Sequence, residues 1–225
     1  MTEQHFSSPS CDAPQHSLLQ SSFVLYLASA SPRRAQLLET LGVPFTRIHS
    51  SFEEPKPTAA DHANPSSYVE VLAREKAAAC DTRVLNPQEN SLVLAADTIV
   101  WHQGTVLGKP ESEAEAGEML RRLRGEAHQV FTGICLRHRA AGTDEYSIAH
   151  TITTVHFNTL SDNWIERYVA TGEPMDKAGA YAAQGKGALL VERIDGDFWN
   201  VVGLPLATLG RMLETLGVPV ESWWK

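Results

Sequence analysis

The sequence predicts an α/β fold built on a mixed β-sheet. Compact apolar runs rich in β-branched and aromatic residues alternate with segments whose apolar residues recur at helical spacing, and glycine turns join some neighbouring strands as hairpins. A chain of 225 residues that is 43% hydrophobic can bury a sizeable core without disulfide staples.

Residues 1–22 carry no Lys or Arg and are rich in Ser, Gln, His and Pro, so they read as a disordered extension and not as a secretory signal. The folded domain is expected over residues 23–225. Its first strand is Phe23–Ala28, which ends in Ser29-Ala-Ser-Pro-Arg-Arg34 and opens a helix carrying Leu37, Leu38 and Leu41, stopped at Gly42. A second helix is expected over Pro65–Arg83, a turn over Asn86–Asn90, and a central strand over Leu92–Trp101. Gly104 turns that strand into a short one at Thr105–Leu107. A helix over Glu111–Arg124 follows, then strands over Gln129–Arg137 and Tyr146–Phe157 joined by the Ala140–Asp144 turn. Leu160–Ala170 reads as a helix with Ser161 as N-cap and Gly172 as stop. Leu189–Ile194 and Trp199–Val202 read as strands of a hairpin around Asp195-Gly196-Asp197, and Pro205 begins a last helix through Leu216.

Lysine and arginine total 19 against 27 aspartates and glutamates, a net charge of −8. That balance argues against binding a nucleic-acid polymer, whose backbone rewards clustered positive charge, but leaves room for a small anion held by local cations. No apolar stretch reaches the length of a membrane span. Cys11, Cys80 and Cys135 are odd in number and far apart, so neither a zinc ribbon nor a disulfide framework is expected, and the compartment is expected to be reducing and cytoplasmic.

The strongest local signal is the turn into the first helix. Free backbone N–H groups and the positive dipole end make an anion site there, with Ser31 placed to cap and Pro32 at the first helical position. A first helical turn ordinarily favours acidic residues, yet this one carries Arg33 and Arg34, whose guanidinium forks match phosphate oxygens. The alternative is that both arginines are solvated and paired with Glu39 or a neighbour. Asp97 interrupts a continuous apolar strand, where an ionised carboxylate needs a cation, a metal or several donors. It reads as a metal ligand or general base, or else as a hydrogen-bonded strand residue. Lys76 sits beside Glu75 in a helix, the usual pattern of a solvated face, whereas Lys109 lies in a rigid Gly108-Lys-Pro110 loop. Glu53-Glu54, followed by prolines, reads as a polar loop or as a Mg²⁺ site completed by substrate phosphates. Gly104–Pro110 is one residue short of a P-loop and ends in Pro; no GxGxxG, HExxH or GxSxG occurs, and His150 and His156 read as structural.

Taken together, Leu27-Ala-Ser-Ala-Ser-Pro-Arg-Arg34, Leu72-Ala-Arg-Glu-Lys76, Ala96-Asp-Thr-Ile-Val100, Gly108-Lys-Pro110 and Gly125–Thr132 occur in one order, followed by Asp176–Tyr181 with Gln184-Gly185 and Val202–Pro205. In this the chain resembles the Maf-like nucleoside triphosphate pyrophosphatases over nearly its whole length after residue 22. The resemblance implies an elongated, twisted mixed sheet with helices on both faces and a nucleotide cleft between two lobes. It also implies a divalent cation, Mg²⁺ or Mn²⁺, and often a homodimer. Ser29, Ser31, Arg33, Arg34, Lys76 and Lys109 would bind substrate, and Glu54 and Asp97 the metal, with Asp97 accepting a proton from the attacking water. The implied reaction cleaves the α–β phosphoanhydride of a nucleoside triphosphate, removing unwanted or modified nucleotides with an effect on cell division. Other readings are a 7-methyl-GTP pyrophosphatase or a non-catalytic nucleotide-binding regulator. Arg34, Thr98 and Gln184 would set base preference, and Pro32-Arg33-Arg34 with Gln184 resembles the dTTP/UTP subgroup. A glutamine amide can meet O4 and N3–H of uracil or thymine, although flipped it also meets cytosine.

Overall fold

The protein is described by a computed structural model covering residues 23–86, 89–140 and 142–224. The extension over 1–22, and with it Cys11, lies outside the described residues, as does the middle of the turn at 86–90. A seven-stranded mixed, twisted sheet, open and not closed into a barrel, forms the centre, in the order β2-β1-β3-β5-β6-β7 with β4 also paired to β3. β1 (Phe23–Leu27), β2 (Thr46–Arg47) and β3 (Asn90–His102) run parallel, while β4 (Thr105–Leu107), β5 (Ala127–Ala140), β6 (Thr143–Phe157) and β7 (Val191–Asp195) pair antiparallel to their neighbours.

Strand alternation sorts the long β3 into two faces. Leu92, Leu94 and Ala96 point to a core closed by α1 (Pro32–Thr40) and α7 (Leu206–Thr215). Val93 and Ala95 point to the opposite core under α3 (Pro65–Ala78), and Ile99 extends that face beneath Tyr68, Val69 and Leu72. Farther along the first face, Val100 enters another core made by α4 (Glu113–Leu123) and α5 (Asp162–Val169). Two apolar lobes therefore share one face of the sheet and leave a gap between them. The gap is also written into the ladder: β1 pairs with β3 only as far as Leu94, and pairing with β4 begins at Val100. Between those limits β3 is paired by β5 on its other side, with Asp97 opposite Gly133. Gly133 has a packing reason to be glycine, because an added Cβ would stand 2.2 Å from the Val69 carbonyl oxygen of α3. Its absence lets α3 settle directly against the strand pair that carries Asp97.

Several local expectations change. The helix from Pro65 ends at Ala78 and not at Arg83: Cys80 forms an isolated bridge with Ser50, and Asp81 caps a separate 3₁₀ turn at Thr82–Val84. A short helix α2 (Ala59–Ala63), absent from the sequence reading, is started by a capping box between Thr58 and Asp61. Trp199–Val202 is not a strand. The Asp197 carboxylate accepts hydrogen bonds from the backbone N–H groups of Trp199 and Asn200 and caps a helix, α6 (Phe198–Val202), so no hairpin forms with β7. Local capping here overrides the β propensity of Phe, Trp and Val. Pro205 is the N-cap of α7 and not its first helical residue. Cys80 and Cys135 are both buried and free. Among the described residues, no helix is long and apolar enough to cross a membrane.

Candidate active site

A cleft of about 770 Å³ opens at the unpaired edge of β3 between Leu94 and Val100. The ten residues assigned to substrate, metal or specificity line it: Ser29, Ser31, Arg33, Arg34, Glu54, Lys76, Asp97, Thr98, Lys109 and Gln184; Glu53, beside Glu54, does not. They arrive from six segments of the chain, so their convergence is a product of the fold.

Asp97 and Thr98 are adjacent, and alternation sends them to opposite faces. Asp97 faces α3, where Lys76 Nζ donates to its Oδ1 and also to Glu54 Oε2 at 3.2 Å. Lys76 lies on the stripe of Val69, Leu72 and Ala73, which aims it at the sheet; the solvated-face alternative does not hold, and Glu75 pairs instead with Arg74. Asp97 Oδ2 is buried and has no hydrogen-bond partner. Glu54 is carried by a loop pinned one residue later, where the Tyr68 hydroxyl donates to the Pro55 carbonyl at 3.0 Å. Burial, with Glu54, Asp61 and Asp97 nearby, pushes the Tyr68 hydroxyl up to about 12, so it stays a donor.

On the other face, Arg34 is anchored through all three of its nitrogens. Its Nε donates to the Gly203 carbonyl at 2.8 Å, Nη1 to Ser29 Oγ at 3.1 Å and Nη2 to Thr98 Oγ1 at 3.1 Å. Thr98 meets Thr132 Oγ1 at 2.9 Å, and Thr132 donates to the Asn200 carbonyl at 3.1 Å, which ties the pocket to α6. Burial lowers the Arg34 pKa and nearby Asp97 raises it; the guanidinium stays charged. Gly203, at φ +116°, turns the chain after α6 so that its carbonyl can reach Arg34. Ser31 occupies the N-cap position of α1 but its side chain makes no capping bond; its N–H donates to Ser29 Oγ at 3.2 Å instead. Neither arginine pairs with Glu39. Arg33 lies 3.5 Å from Asp176, and Lys109 is exposed with no hydrogen bond or ion pair to any described residue.

Gln184 is exposed on a turn held by Glu173, whose carboxylate accepts from the N–H groups of Lys186 (3.2 Å) and Gly187 (2.9 Å) and from Tyr168 (3.0 Å). Burial raises the Glu173 pKa, but those donors and Lys177 more than offset it and leave the carboxyl below its ordinary value. The Gly179 N–H donates to the Gly108 carbonyl at 3.0 Å, which joins this segment to the Lys109 loop. Arg47, His49 and Lys177 also line the cleft and were not singled out from the sequence. Arg47, which ends β2, and His49 just beyond it are exposed and alternate with half-buried Ile48 and Ser50, a pattern indistinguishable from an ordinary exposed edge. His150 and His156, read as structural, pair with Glu70 and Asp195 outside the cleft.

The sequence model of the Maf-like protein family matches residues 24–216. The chain belongs to the Maf-like family. It is 48% identical to a dTTP/UTP pyrophosphatase of Moorella thermoacetica over 196 residues, 87% of this chain and 96% of that protein. It is 45% identical to a protein of the same name from Pelotomaculum thermopropionicum over 196 residues (87% and 98%), and 48% identical to another from Halalkalibacterium halodurans over 193 residues (86% and 96%). The Maf-like domain therefore accounts for nearly all of the described chain.

The cleft suits a hard divalent cation. An orphaned buried carboxylate oxygen on Asp97 lies beside Glu54, and Mg²⁺ is ordinarily held by one or two carboxylates completed by water and substrate phosphates. Among the described residues, no group of three or more His, Cys, Asp or Glu converges to form a self-sufficient metal cage.

Proposed function

We propose that this Maf-like protein hydrolyses nucleoside triphosphates, dTTP and UTP first among them, to the monophosphate and pyrophosphate. The observation that carries the reading is the unpartnered Oδ2 of Asp97, held in a cation-lined cleft beside Lys76 and Glu54. The names of the relatives support the substrate class.

In this reading Arg33 and Lys109 neutralise the phosphate chain, and the α1 N-terminus with Ser29 and Ser31 cradles it. Glu54 and Asp97 hold Mg²⁺ or Mn²⁺, which when bound supplies charge neutralisation of the phosphates. Asp97 orients the attacking water and accepts its proton; cleavage of the α–β anhydride releases pyrophosphate. Arg34, anchored through its three nitrogens, shapes the base end with Thr98, while Gln184 offers an amide to the pyrimidine edge. One C5 methyl changes selectivity by roughly 1–3 kcal/mol in an apolar pocket, so both dTTP and UTP serve, and pyrimidines modified at that position fit the same class.

The test is to incubate the full chain with Mg²⁺ or Mn²⁺ and a nucleotide panel and resolve the products. Monophosphate and pyrophosphate are expected, with kcat/KM for dTTP and UTP above that for 7-methyl-GTP. Orthophosphate as the sole primary product overturns the reaction, and the reverse order of kcat/KM overturns the substrate preference.

A further inference from the structure

Lys76 stands between two carboxylates at the place where a divalent cation would be expected to draw them together. Its ammonium contacts Asp97 Oδ1 and Glu54 Oε2, with only 18% of the side chain exposed. Asp97 is more deeply buried, at 9% of its side chain, and a buried carboxylate without a counter-charge is strongly disfavoured. In the protein without ligands, Lys76 therefore satisfies the charge that a metal would satisfy. Two like positive charges competing for the same carboxylates cannot both hold them as tightly as either alone.

We infer that Lys76 is an internal placeholder cation, which lowers the affinity of the free protein for a divalent metal and gives up the carboxylates when phosphate is present to receive its ammonium. Metal and triphosphate then enter together, because phosphate draws the lysine away and supplies the oxygen ligands that Glu54 and Asp97 lack. This assignment rests on the metal-dependent reading of the site and adds the order in which its charges assemble. Arg34 does not act in this way, since it is anchored to Gly203, Ser29 and Thr98 and hydrogen-bonds to neither carboxylate. Arg33 and Lys109 do not touch either carboxylate pair.

The experiment is a Mn²⁺ titration of the full chain without nucleotide, read by loss of the free-ion paramagnetic signal. Lys76→Met should bind Mn²⁺ about 10-fold more tightly than the natural chain, a gain the loss of a competing charge can supply. Lys76→Gln is the second variant if Met disturbs α3, with folding followed by Tm in the absence of metal. The gain should vanish in Lys76→Met combined with Asp97→Asn, which localises it to this pair. Unchanged, weaker or undetectable Mn²⁺ binding in the lysine variants overturns the inference, as does a gain that survives Asp97→Asn. No nucleotide is used, so failure of the natural chain to release pyrophosphate from dTTP would overturn the proposed function and leave the Mn²⁺ comparison intact.

Discussion

The two faces of β3 at Asp97 and Thr98 are built on opposite principles. On the Thr98 face every donor of Arg34 used in the fold is matched: carbonyl, serine hydroxyl and threonine hydroxyl each accept, and the chain of bonds continues through Thr132 to α6. On the Asp97 face a carboxylate oxygen is buried without a partner, and one lysine is shared by two acids. A saturated network is rigid and holds a shape, whereas an unsaturated one is completed by what binds. The sequence reading groups Arg33, Arg34, Lys76 and Lys109 as substrate-binding cations, and the structure places Arg34 on one face of β3 and Lys76 on the other.

The largest expected effect breaks the unsaturated face. Asp97→Asn should lower kcat by roughly 10²–10⁴-fold, the range of a lost general base, while nucleotide binding measured by calorimetry survives. Near-normal turnover would remove Asp97 from the chemistry. The saturated face should fail differently. Arg34→Met leaves the Gly203 carbonyl without its donor and takes one partner each from Ser29 and Thr98, a loss of about 3 kcal/mol, and should drop Tm by roughly 6–12 °C. Lys76→Met, by contrast, leaves the buried Asp97 carboxylate without its counter-charge, so its Tm should fall in the absence of metal and recover when Mn²⁺ is added. A Tm loss in Arg34→Met that Mn²⁺ also reverses would erase the distinction between the faces.

A smaller effect is expected with pH. His128, on the lobe side of the sheet, is 2% exposed and bonds Tyr181 at 2.8 Å. Burial, reinforced by His102 and His156, lowers its pKa to about 3. The folded state therefore keeps His128 neutral while the unfolded chain takes up a proton near pH 6.5. Its contribution is whole above that pH and is lost as pH falls toward the folded value, by about 2 kcal/mol between pH 6.5 and 5. Denaturant titrations at the two pH values should show this slope in the natural chain and a shallower one in His128→Gln; parallel slopes would show that His128 is not the group responsible. The smallest effect belongs to the loop holding Glu54. Tyr68→Phe removes the bond to Pro55 and should raise the metal concentration for half-activation about 3-fold, with kcat at saturating metal little changed. A fall in kcat that excess metal does not restore would place Tyr68 in the chemistry.

Much of this was legible before any fold was known. The strand, turn and helix from Phe23 to Gly42 carry their own punctuation, and a charged residue within the apolar run of β3 marks Asp97 whatever surrounds it. Lys76 is ambiguous in the sequence because its neighbour Glu75 suggests a solvated face, while its place on the Val69–Leu72–Ala73 stripe aims it at the sheet. Trp199–Val202 reads as a strand because β propensity and a helix cap compete within a few residues, and the Asp197 side chain decides for the helix.

What the sequence by itself determined are the features that depend on neighbours in the chain: helix starts, the alternation that separates Asp97 from Thr98, and the identity of the charged groups. Tertiary structure alone decided which charges are satisfied. That Arg34 is spent on Gly203, 169 residues away, and that Asp97 Oδ2 is left without a partner follow from where α6 and α3 dock on the sheet. Hydrogen bonds reach only about 3 Å, so a group's partner is settled by packing and cannot be read from spacing along the chain.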